Sequence, residues 1–188
     1  KTFENFPGTV SLTIPTYQLM LSEIGYGLIQ QGFKHIILLN GNRPSGTAND
    51  QVARHLIDEF DKSYDFMVSA VSYWEPAADK IHSMRKSEEG GMGHAGEMET
   101  SFQLATRPNL VKMELLKGAH YGPVAWDLVA PTHPTRTYSK RPRPQAGHAA
   151  IFGDPTHATE KMGHACIEVI VDALEQTFKN IKASYEER

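Results

Sequence analysis

Between Gly93 and Ser101 the chain reads Gly-His-Ala-Gly-Glu-Met-Glu-Thr-Ser, which sets one imidazole, His94, and two carboxylates, Glu97 and Glu99, within six positions. A metal-dependent hydrolase needs carboxylate or imidazole ligands to hold its ion. It also needs a nearby group to move protons as water attacks and a leaving amine departs. On that reading Glu97 ligates and His94 shuttles the proton. The same residues fit a plainer role: carboxylates in the first turn of a helix stabilise its positive end, and a histidine beside a glycine turn can cap a loop. Taken alone, the segment leaves both readings open.

Three further groups bear on chemistry. His157, Glu160 and His164 are spaced by three and four, so on a helix they share one face, either as metal ligands or as a solvated polar stripe. Trp74, next to Tyr73, follows an apolar run and either lines a pocket or fills core. The single cysteine, Cys166, falls in an apolar helical pattern, which suits packing in a reducing compartment better than nucleophilic work.

The elements that position these residues alternate. Tyr17, Met20, Leu21, Ile24 and Leu28 form one helical face, with Thr13 and Pro15 as entry signals and Gly32 as the stop. His35 to Leu39 is a continuous apolar run ending at Asn40-Gly41, the profile of a parallel strand covered on both faces. Ala48, Val52, Leu56 and Phe60 recur every four residues, and Tyr64 to Ser72 favours a second strand. Such alternation predicts an α/β fold, a three-layer sandwich of a mostly parallel sheet flanked by helices, with ligand sites at the carboxyl ends of its strands. Asn40 to Asn49 and Trp74 occupy such ends.

Glu88 to Gly96 holds four glycines in nine residues, enough for a backbone that wraps a ligand before a helix from Glu97 to Thr106. From Gly118 to Ile151 the chain is proline-rich and aperiodic, a long loop carrying a basic cluster at Arg136, Lys140, Arg141 and Arg143. Asp154 and Pro155 open the last helix, whose apolar positions run from Cys166 to Ile181. His120, Tyr121, Trp126, His133 and His148 fall in the long loop, where no spacing assigns them a role.

Composition narrows the partners. With 19 basic against 22 acidic residues the chain offers no electrostatic footprint for nucleic acid or an anionic membrane, which favours a small-molecule substrate. No apolar run is long enough to span a bilayer, so a cytoplasmic location is expected. A length of 188 residues fits one domain over 1–188.

Several motifs then share an order. Phe6-Pro-Gly-Thr-Val-Ser-Leu12, Gly32 to Gly41, Ser72-Tyr73-Trp74, Gly93 to Ser101, Arg107 to Val111 and Gly153-Asp154-Pro155 resemble successive motifs of the creatininase family. The resemblance implies a metal-dependent amidohydrolase that opens a cyclic amide with water activated by a divalent ion. The ion is often zinc or manganese, and the site frequently binuclear. It also implies a homo-oligomer, commonly a hexamer. His94 then resembles the catalytic histidine and Glu97 a metal-ligating carboxylate, with Trp74, Tyr73 and Glu99 around the substrate.

Two departures qualify this. Where the family's strand-end motif has Asn-Gly-His, this chain has Asn40-Gly41-Asn42, and an asparagine oxygen suits a harder ion such as manganese better than zinc. The family's further ligands, a Glu, a His and an Asp, lie in a segment that would precede Lys1, so either a separate N-terminal chain supplies them, or the protein was cleaved, or the sequence is a fragment. Enzymes that use creatinine also carry a second tryptophan where Gly90 stands, which points to another cyclic amide or carbonyl compound. Two alternatives stay open: a catalytically silent subunit serving binding or assembly, and a hydrolase of a cyclic ketone or sugar on the same scaffold.

Overall fold

The computed structural model describes residues 6, 8–116 and 151–186. The proline-rich stretch from Gly118, its basic cluster and its histidines lie outside the described residues. The chain gathers into two compact units, one from Lys1–Val10 with Ala77–Ala173, the other from Ser11–Pro76 with Leu174–Arg188.

The second unit begins with helix α1 (Ile14–Gln30). Thr13 is extended and its hydroxyl accepts from the Thr16 amide at 3.3 Å, while Pro15 occupies the first turn, where its missing N–H costs nothing. Gly32 takes a left-handed φ of 85° and ends the helix as expected. Strands β1 (His35–Asn40) and β2 (Met67–Ser72) pair in parallel, from His35 beside Met67 to Asn40 beside Ser72, and helix α2 (Gly46–Phe60) connects them.

Alternation along a strand decides which residues face α2. Ile36 and Val68 join Ile29, Val52, Ala53, Leu56 and Phe66 in one apolar core, with Leu38 and Ala70 packed against it. His35 points the other way, and its ring meets Tyr185 of the C-terminal helix edge-on at 4.6 Å. The parallel sheet is thus flanked by helices, as the alternation predicts. One expectation fails locally: Leu39 is half-exposed, so β1 is not covered on both faces along its length. The reason is reach, because the helix contact on that face is made at His35, the opposite end of the strand.

The first unit contains α3 (Ala78–Met84), α4 (Glu97–Thr106) and the opening turns of α5 (Glu160–Glu186). Ile81, Met92, Met98 and Cys166 are fully enclosed. Helix α4 has the predicted bounds. Helix α5 starts later than Asp154 and Pro155 suggest. Asp154 accepts from the Thr156 amide at 2.9 Å but caps only a single 3-10 turn, Pro155–His157. Ala158 is then extended, and the Thr159 hydroxyl, accepting from the Met162 amide at 3.0 Å, caps the long helix. Among the described residues no helix is long and apolar enough to cross a membrane.

Candidate active site

The turn before α4 is built on its own backbone. Successive amides of Gly91, Gly93 and Gly96 donate to the carbonyls of Glu88, Gly90 and Gly93 at 2.9 to 3.2 Å. Two further bonds fasten this turn to a distant segment: Phe152 N–H donates to the His94 carbonyl at 2.9 Å, and Asp154 N–H to the Gly91 carbonyl at 2.8 Å. The backbones of Gly96 and Gly153 lie so close that a Cβ on Gly153 would fall 2.5 Å from the Gly96 Cα, leaving no room for a side chain. The glycines therefore close the turn on its own chain.

That closure displays His94 and buries Glu97. The His94 side chain keeps 48% exposure, and its Nδ1 lies 3.8 Å from Glu99 Oε2. Glu99 Oε2 also accepts from the Ala95 amide at 2.6 Å. Ala95 between them has a φ of 54°, a left-handed conformation that costs an L-residue roughly 1–2 kcal/mol. Both carboxylates sit in the first turn of α4, where the helix dipole favours negative charge.

Glu97 is fully enclosed, and its two oxygens accept from the amides of Lys86, at 3.0 and 3.1 Å, and Ser87, at 2.8 Å. A buried carboxylate is costly unless hydrogen bonds replace its hydration. Here they tie the turn after α3 to the start of α4. Burial, and secondarily the charge of Glu97, pushes the Cys166 thiol up to about 11. A thiol so placed is a packing group.

The structure thus brings His94, Glu97 and Glu99 together on one turn and helix start. Asn42, Tyr73 and Trp74 belong to the other unit, where they follow the carboxyl ends of β1 and β2. Asn40 is buried there. Its amide donates to Ser72 Oγ at 3.3 Å and its oxygen accepts from the Asn42 N–H at 3.1 Å, while Asn42 itself is exposed. Trp74 is buried and meets Tyr73 edge-on at 4.9 Å. His157 leans on Asp154 at 3.5 Å and His164 on Glu160 at 3.7 Å. Among the described residues no three His, Cys, Asp or Glu side chains group to hold an ion, at 157, 160 and 164 or elsewhere. Phe152, whose backbone anchors His94, carries no signal in spacing; only the neighbouring Gly153-Asp154-Pro155 motif pointed there.

Comparison with known proteins shows the family and the fold. A model of the Creatininase family, described as creatinine amidohydrolase, matches residues 1–178. The chain belongs to the creatininase family. The creatinine amidohydrolase of Pseudomonas putida is 28% identical over 187 residues, covering 93% of this chain and 67% of that protein. A crystal structure of creatinine amidohydrolase is similar over 93% of this chain and 66% of its own, with a TM-score of 0.68 at 23% identity. A manganese creatininase gives 0.69 at 22% identity, over 93% and 67% of the two chains. A zinc–zinc form of a creatininase mutant gives 0.65 at 19%, with the same coverage. The fold is therefore creatininase-like.

Proposed function

We propose that this chain, read as one creatininase-like domain, carries the proton-transfer part of a hydrolase that opens a small cyclic amide or related carbonyl compound. The observation that carries this reading is His94, held out on a glycine turn by Phe152 and set against Glu99. In the reaction, the water oxygen bonds to the carbonyl carbon and the ring carbon–nitrogen bond breaks. His94 accepts the proton that the water loses and delivers it to the departing nitrogen, so the imidazole returns unchanged. Gly90 supports a substrate other than creatinine: it takes a φ of 95°, which L side chains rarely adopt, so this turn is not shaped for the tryptophan of creatinine-using enzymes.

A divalent ion, zinc or manganese, enters the reading through the relatives named above. The described donors do not fit one as they stand, because both Glu97 oxygens are engaged by amides and Asn42 offers a neutral oxygen. Assigning Glu97 to an ion requires that turn 86–87 release the carboxylate and that further ligands join. A homo-oligomer such as a hexamer belongs to the same reading.

The test is elemental analysis of the purified protein, followed by a screen of cyclic amides, ketones and sugar lactones with the wild type and His94→Ala. Turnover that falls about 10²- to 10⁴-fold in the variant is the expected result, and the elemental analysis decides whether zinc or manganese takes part. No turnover on any class, with no metal after reloading, overturns it. That outcome supports the second reading, a silent family member, which Asn42 and the enclosed Glu97 favour.

A further inference from the structure

Glu99 invites assignment to the substrate, because it is polar, half-exposed and next to His94. Its surroundings argue otherwise. One oxygen, Oε2, serves both neighbours: it takes the Ala95 N–H at 2.6 Å and lies 3.8 Å from His94 Nδ1. The second distance is longer than a hydrogen bond, so the carboxylate acts on Nδ1 through its charge. The tether is local as well as polar, since Ala95 is held left-handed between the two side chains and the His94 carbonyl is fixed by Phe152. Strain of this kind persists only where its surroundings enforce it, and it gathers at working sites.

We propose that Glu99 is the positioning residue of His94: its carboxylate, anchored by the Ala95 amide, keeps the proton on Nδ1 and leaves Nε2 to exchange protons with the reacting groups. This rests on His94 as proton carrier. An imidazole's tautomer is set by the bond its other nitrogen makes, and an acceptor at Nδ1 selects the Nδ1–H form. Glu99 then acts through His94 and touches no substrate.

Two independent readouts test it on the full chain as purified. The first is the tautomer of neutral His94, read from its imidazole nitrogen shifts by NMR and assigned with His94→Ala. The wild type is expected mainly as Nδ1–H and Glu99→Ala mainly as Nε2–H. Glu99→Gln, which keeps an oxygen for the Ala95 amide but loses the charge, falls between them. The same tautomer ratio in all three overturns the proposal. The second readout is kinetic: Glu99→Gln lowers kcat about 10- to 100-fold, as removal of a group orienting a functional histidine does, with KM held within about twofold. A raised KM with kcat kept makes Glu99 a substrate ligand and overturns it. If His94→Ala keeps full turnover, the proton-carrier reading fails, while the tautomer shift still decides whether Glu99 orients the ring.

Discussion

At the scale of single residues, chemistry here is sorted by exposure. Of three side chains within six positions, Glu97 is enclosed by amides while His94 and Glu99 reach solvent. Cys166 gives the clearest residue-level test. Its thiol titrates near 11 in the folded chain against an ordinary 9.0, so folding favours the neutral form. The resulting stability is intact below the ordinary value and is lost as pH rises from there through the folded value. Melting curves between pH 8 and 11 should therefore fall more steeply for the wild type than for Cys166→Ala; parallel declines would contradict this. A thiol reagent at neutral pH should label the native protein slowly and the denatured chain at once. Ala95 offers a second test. Ala95→Gly removes left-handed strain and should leave the melting temperature level or higher, whereas Ala95→Val, β-branched at the same φ, should lower it by more than about 1 kcal/mol of stability.

At the scale of elements, helix ends and close approaches decide how the site is held. Helix α5 passes α4 at Gly163, where a Cβ would collide with the Ser101 carbonyl, and Thr159 N–H donates to Ser101 Oγ at 3.1 Å. Gly163→Ala should accordingly destabilise the first unit even though alanine is the better helix former, because backbone has to shift to admit it. Calorimetry that shows a gain would refute the packing argument. Caps give a gentler contrast. Thr159→Ala removes the α5 cap and should cost about 1 kcal/mol in denaturant titration. The residue types at Asp154 and Pro155 pointed to a helix start there, but the cap of α5 is Thr159, five positions after Asp154. Ala158, extended in the fold, separates the short turn that Asp154 caps from the long helix.

At the scale of the whole chain, apolar periodicity was enough to lay out α1, β1, α2 and β2, since each buries a stripe or an alternate face and the residues that do so recur at fixed spacing. Leu56, fully enclosed between α1, α2 and the sheet, is the centre of that arrangement. Leu56→Ala should cost about 2–5 kcal/mol, seen as faster amide exchange in β1 and β2; unchanged protection there would place the core elsewhere. The sequence by itself determined these elements, the helix at Glu97–Thr106, the packing role of Cys166 and the family, because all of them rest on local propensity, short spacing or ordered motifs. Only the tertiary structure decided that the glycine turn closes on Phe152–Asp154, that Leu39 is left half-bare, and that Glu97 faces amides while Glu99 faces His94. Those outcomes depend on which backbones meet across some sixty residues, and neither residue type nor periodicity encodes that meeting.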